Sequence, residues 1–133
     1  MGDRCFCRGY VLRAGWPRFK ELTEAEEDPY APPLPGLVSF EVEGANYALS
    51  RELGPAVLER LVFYSFNGPG DEYRDGVSVS VGDGMLLEAD TSMYGHVTIT
   101  LSEDGELDLP DLQIARKVCR AIQTVRRLGE AAP

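Results

Sequence analysis

Residues 76–128 limit what this 133-residue chain can fold into more than any other stretch. Val77, Val79 and Val81 alternate with Ser78 and Ser80, the period of a strand with one apolar face. Asp83-Gly84 predicts a hairpin turn, because glycine accepts the positive φ that a type I′ turn demands. Met85 to Asp90 reads as the return strand. Val97, Ile99 and Leu101 then alternate with His96, Thr98 and Thr100, ahead of a second turn at Asp104-Gly105.

From Pro110 the period changes. At ~100° per residue, Leu112, Ile114, Ala115, Val118, Cys119, Ile122, Val125 and Leu128 gather on one side of a helix. Asp108 is placed to cap it, and Asp111 suits the positive end of its dipole. Arg116, Arg120 and Arg127 line the far side. Arg126 falls inside the apolar arc, so it must snorkel, pair, or mark where the helix leaves the core.

The first half of the chain reads less sharply. Cys5 to Ala14 predicts a strand. Pro17 to Asp28 predicts a short helix, and its acidic end, Glu24 to Asp28, reads as a solvated face. Residues 29–36 hold four prolines, which donate to neither ladder nor helix, so this is an extended loop. In Leu37 to Glu43, Val38, Phe40 and Val42 alternate with Ser39, Glu41 and Glu43, as in a half-buried strand with an acidic outer face. Gly44-Ala-Asn46 reads as a turn and Tyr47 to Leu49 as a short returning strand. Pro55 suits the first turn of a helix over 55–66, with Val57, Leu58, Leu61, Val62 and Phe66 at helical spacing and Asn67-Gly68 as its stop. The loop to Gly76 contains Asp71, Glu72 and Asp75. No internal repeat stands out.

Tight turns between strands imply a largely antiparallel sheet of about five to six strands, with helices at 55–66 and 110–128 packed on one face. The fold class is α+β, in a single domain over 1–133.

The net charge is -9. Residues 1–107 hold 19 acids against 8 bases, and residues 108–133 hold 3 acids against 5 bases. A field of this sign repels phosphate backbones and anionic lipid and favours a basic protein partner, although it also serves ordinary solubility. No apolar run reaches the ~20 residues of a membrane helix. The N-terminus leads into no apolar signal core, so the expected compartment is the cytoplasm. Three cysteines, two of them at Cys5 and Cys7, argue against a disulfide framework.

Motifs for chemistry are weak. A zinc site at Cys5 and Cys7 would have only Cys119 and His96 as further soft ligands, so no metal is expected. His96 is the one imidazole available to cysteine or serine nucleophiles, and there is no Gly-x-Ser-x-Gly elbow. Glu41 with Glu43, and Glu88 with Asp90, share strand faces, as solvated acids commonly do. No phosphate-cradling loop is present, and no cofactor is expected. The arginine stripe alone does not make a nucleic-acid site on so acidic a chain.

Leu87-Glu-Ala-Asp90, then Gly95-His-Val-Thr-Ile-Thr-Leu101, then the terminal helix resemble a pattern in small bacterial proteins. Those are suspected of serving as immunity proteins against polymorphic toxins. The likeness spans about residues 84–125 and implies a protein that neutralises a toxin by binding it. A looser likeness is to acidic chaperones of type III secretion, which implies a homodimer.

Three functional expectations result. The first is a non-catalytic module binding a basic protein through Glu41, Glu43, Asp71, Glu72, Asp75, Glu88, Asp90 and His96. The second is a homodimeric secretion-chaperone-like protein, its seam on the terminal helix. The third is a small hydrolase or lyase using Glu88, Asp90 and His96.

Overall fold

In the computed structural model, β1 (Arg4–Leu12) runs near the middle of a six-stranded sheet whose order is β2-β3-β1-β4-β5-β6. The structure describes residues 4–46, 49–68 and 75–132, and side chains over 7–42, 53–68 and 75–132. The other strands are β2 (Glu26–Glu27), β3 (Leu37–Asn46), β4 (Val62–Asn67), β5 (Gly76–Val81) and β6 (Leu87–Asp90). Every pairing is antiparallel. The helices are α1 (Trp16–Thr23), α2 (Leu49–Leu58) and α3 (Leu109–Ala131). The fold class is α+β, as the alternating patterns imply.

The helices do not share one face. Phe63 joins a core with Phe19 of α1 and Leu53, Ala56 and Val57 of α2, while its neighbour Tyr64 joins a second core with Val118, Ala121 and Val125 of α3. Successive strand residues point to opposite faces, so α1 and α2 cover one side and α3 the other. Phe19 anchors the first core, its ring 4.5 Å from Phe40 and 5.1 Å from Phe63 between centroids.

Coverage on both sides corrects the helix expected over 55–66. A strand buried on both faces loses its alternation and reads as a continuous apolar run. Val62-Phe-Tyr-Ser-Phe66 is such a run, and it forms β4. Arg60 adopts a left-handed φ of 59°, which closes the helical segment before it. α2 lies upstream, and Pro55 stands inside it rather than at its start. Residues 44–46, expected as a turn, continue β3. Of the short strand expected after them, Tyr47 lies outside the described residues and Leu49 opens α2. The first helix is also shorter than its sequence implies. Glu24, with φ at 59°, ends α1, and Glu26–Glu27 pairs with β3 as β2. Ser78 and Ser80, expected on a solvated face, are buried.

A further correction is at Val97 to Leu101. No strand forms there. Val97 makes one isolated bridge to Thr91, the Thr98 amide reaches the Asp90 carbonyl at 3.0 Å, and the chain then departs from the edge of β6. Two turns of the same construction, ten residues apart, occupy this stretch. In the first, the Ser92 amide donates to the His96 carbonyl and the Gly95 amide to the Ser92 carbonyl. In the second, Ser102 pairs with Glu106, and Gly105 with Ser102, in the same way. Both glycines have φ near 80° (82° and 83°), a conformation L side chains resist. Bridges Thr91 to Val97 and Leu101 to Leu107 close the two turns. Residues 91–108 thus form a two-turn arm between β6 and α3, built on a repeated Ser-x-x-Gly.

α3 begins where its sequence indicates, the Asp108 carboxylate accepting the Asp111 amide at 3.3 Å. Its buried line is Ala115, Val118, Ala121, Val125 and Gly129, narrower than the apolar arc, and Ile114, Cys119 and Leu128 remain exposed. Arg126 pairs: its Nε donates to the Tyr64 hydroxyl at 3.2 Å, and its guanidinium lies 5.8 Å from the ring centroid. At the far end, Gly129 meets Gly36 backbone to backbone, seating the helix on the proline loop.

Candidate partner-binding site

α3 packs mainly over β4, β5 and β6, which leaves the β2-β3-β1 half of that face partly open. Cross-strand partners share a face, so the pairings place Glu26, Glu41, Arg8, Phe66, Val77 and Ala89 in one row across the sheet. The uncovered part of this row is a trough. One hollow, about 630 Å³, is lined by Arg8, Gly9, Tyr10, Asp28, Tyr30, Ala31, Glu41 and Phe66. A second, about 290 Å³, shares Arg8 and Phe66 with the first and continues past Asn67 and Asp75 to Thr91, Ser92, Met93 and Gly95 of the arm.

The rim on the proline-loop side is fixed. The Asp28 amide donates to the Ser39 carbonyl, the Ser39 hydroxyl donates to the Asp28 carbonyl at 2.7 Å, and the Asp28 carboxylate accepts the Tyr30 amide. The Tyr10 hydroxyl donates to the Pro32 carbonyl at 2.7 Å. Tyr10, Tyr64 and Phe66 form a continuous aromatic floor, with centroids 5.6 and 5.9 Å apart. Burial raises the Tyr10 phenol above its ordinary range, Tyr64 and Asp28 add to that, and Arg126 opposes it. Arg8 lies 3.7 Å from the Glu41 carboxylate, a long contact between two partly solvated groups.

The arm is the other exposed feature. Met93 is 76% exposed, Tyr94, Ile99, Leu101 and Leu107 are also exposed, and Leu109, which opens α3 directly after the arm, is 64% exposed. From Asp75 to Ala115 the chain carries Asp75, Asp83, Glu88, Asp90, Glu103, Asp104, Glu106, Asp108 and Asp111, and no lysine or arginine. In the second turn the Ser102 hydroxyl and then the Glu106 amide hold the Asp104 carboxyl below its usual range. The opposite sign lies on α3, where Arg116, Lys117, Arg120 and Arg127 are exposed and form no ion pair among the described residues.

The residues expected to form one acidic surface are divided. Glu41 and Asp75 line the two hollows of the trough. Glu88 and Asp90 stand on β6, the far edge strand, and point to the α1–α2 side: Glu88 pairs with Ser78, opposite in direction to Val77 and Val79. Glu41 shares its row with Val77 and Ala89, whereas Glu88 and Asp90 are each one residue out of step with Ala89. One residue along a strand reverses the face, so the two sets of acids lie on opposite surfaces. His96 is exposed on the first turn, and among the described residues its ring makes no hydrogen bond or ion pair. The Glu43 side chain, Asp71 and Glu72 lie outside the described residues. Among the described residues no group of three potential ligands could hold a metal. No helix is long and apolar enough to cross a membrane, again among the described residues.

No family model matches this chain, and no curated protein or solved structure matches it either. The surface itself carries the functional reading. Sequence reasoning missed Arg8, Tyr10, Tyr30 and Phe66, which only the strand register brings together. It also passed over the arm, whose signal was available as the Ser-x-x-Gly repeat at Ser92 and Ser102.

Proposed function

We propose that this protein is a non-catalytic protein-binding module that holds or neutralises a basic partner, in concrete form an immunity-type protein facing a cationic toxin. One observation carries this reading: the arm exposes Met93, Tyr94, Ile99, Leu101 and Leu107, with Leu109 exposed beside them at the start of α3, within a stretch that has acids but no lysine or arginine. An apolar side chain stabilises a complex by about 1.5–3 kcal/mol when fully covered, so several together are a substantial reserve for association. The surrounding carboxylates steer a basic protein toward them and repel acidic competitors. The resemblance of residues 84–125 to immunity-type proteins supports the same direction.

The test is co-purification from the native host at low and high salt, comparing the natural chain with a Met93→Ser, Leu101→Ser, Leu107→Ser variant. All three side chains are exposed, so the fold should survive, which circular dichroism checks. A basic protein retained by the natural chain and lost from the variant is expected. Equal retention by both contradicts the reading.

Exposed Ile114 and Leu128 on α3 favour a second reading, a homodimer seam as in secretion chaperones. Sedimentation as a monomer across a hundredfold concentration range, about 1–100 µM where micromolar dimers dissociate, removes it.

A further inference from the structure

We propose that the trough over Arg8, Tyr10, Tyr30 and Phe66 is a binding site for arginine side chains on an extended, basic segment of a protein partner. This rests on the proposed function only for the basic character of the partner. The trough meets the apolar arm at its far end, where Met93 lines the second hollow. Asp28 and Glu41 belong to the first hollow, and Leu101 and Leu107 line neither. The volume is of the size that ligand sites occupy, about 300–1,000 Å³. Its walls combine aromatic faces with carboxylates: Tyr10, Tyr30 and Phe66 against Asp28 and Glu41, with Asp75 at the far end. A guanidinium is satisfied by that pairing, since it stacks on aromatic rings and donates in a fork to carboxylates.

The protein already uses this chemistry next door. Arg126 lies over the Tyr64 ring and donates to its hydroxyl, on the covered continuation of the same aromatic floor. Toward the open end, Tyr30 is 95% exposed. The Asp28 carboxylate is held in place by its bond to the Tyr30 amide, and Glu41 meets Arg8 at the long distance of 3.7 Å, a contact an incoming guanidinium can displace. Extended chain suits the span. The two hollows share Arg8 and Phe66 and together reach from Tyr30 and Ala31 of the proline loop to Met93 and Gly95 of the arm, so a segment crossing both would leave by the first turn of the arm.

The probe is the capped peptide Gly-Arg-Gly-Arg-Gly, titrated at low salt against the labelled full-length protein and followed by amide chemical shifts. Saturable shifts are expected at Gly9, Tyr10, Ala31 and Gly95, with none from the same peptide bearing citrulline, which keeps the shape and loses the charge. The Asp28→Asn, Glu41→Gln variant preserves the turn acceptor and the side-chain volumes. It should weaken binding about tenfold or more, the effect of losing one charge-assisted hydrogen bond. Tyr30→Ala, at a side chain outside the core, should weaken it about two- to fivefold. Glu88→Gln, Asp90→Asn, on the other face and edge, should leave it unchanged. Equal binding by the Asp28/Glu41 variant, equal binding of the citrulline peptide, or shifts confined to residues 96–111 would overturn the proposal. So would a dimer that dissociates in that variant without peptide, because the occupant would then be a second copy of this chain. Retention of the host partner by the Asp28/Glu41 variant, with loss from a Leu101→Ser, Leu107→Ser variant that spares the trough, would leave the proposed function standing and remove the trough from it.

Discussion

Gly129→Ala is expected to destabilise this protein although it puts a better helix former inside a helix. In a free helix the exchange is worth up to about 1 kcal/mol in favour of alanine. Here a Cβ on residue 129 would stand 2.5 Å from the Pro35 carbonyl oxygen and 2.8 Å from Cγ of Leu37, which is buried. Neither neighbour can move freely, one being backbone and the other a core side chain. Gly36 faces the contact with a φ of 69° and is more tightly crowded still against the Gly129 backbone. Inserting a methyl group into such packing costs about 1–3 kcal/mol, and contact with fixed backbone places this site in the upper half of that range. After the propensity gain, the expected net loss is about 1–2 kcal/mol, read from urea unfolding. A capped peptide of residues 108–132 carrying the same exchange should instead gain helicity by circular dichroism. Opposite signs in peptide and protein are the signature of the docking contact. Unchanged or increased stability of the protein would refute it.

Other perturbations have definite signs. Arg126→Met leaves the hydroxyl of buried Tyr64 without its donor and should cost about 1–3 kcal/mol, with Tyr64→Phe recovering part of the loss in the double variant. Ser65 is fully buried and its hydroxyl has no hydrogen-bond partner among the described residues, so Ser65→Ala should be neutral or stabilising by about 1 kcal/mol in denaturant unfolding. The raised Tyr10 phenol means that the folded state holds this proton more tightly than the unfolded chain. Stability from this group is therefore complete below the ordinary tyrosine range near 10 and is lost as pH rises through the higher folded value. Alkaline unfolding should be shallower in Tyr10→Phe, and an identical pH profile would show that Tyr10 is not the group responsible.

Much of the architecture is legible in the residues because local signals agree with the fold. β5 follows from its alternating valines and α3 from its cap and period. The chain does turn back around Asp83-Gly84, but the positive φ values fall on Gly82 and Gly84 rather than on Asp83. The turn is therefore not type I′, and the return strand starts at Leu87 rather than Met85. Where local signals fail, the cause is tertiary. β4 is a central strand covered by helices on both sides, so its apolar run has no alternation and falls by accident into helical spacing with Val57 and Leu58. Val97, Ile99 and Leu101 alternate as a strand would, yet β6 is already the sheet edge and the arm they belong to exposes most of its apolar side chains. The acidic character of the surface could be read directly from the chain, and Glu41 and Asp75 do line the trough. The aromatic floor could not, since residues 8–10, 28–31, 66 and 91–95 meet only through sheet register and the path of the proline loop.

The footprint of the bound partner tests the central claim most directly. Hydrogen exchange of the complex isolated from the native host should show new protection over residues 91–111, with the outer face of α3 from Arg116 to Arg127 exchanging as in the free protein. Protection on α3 with unchanged exchange across 91–111 would contradict it.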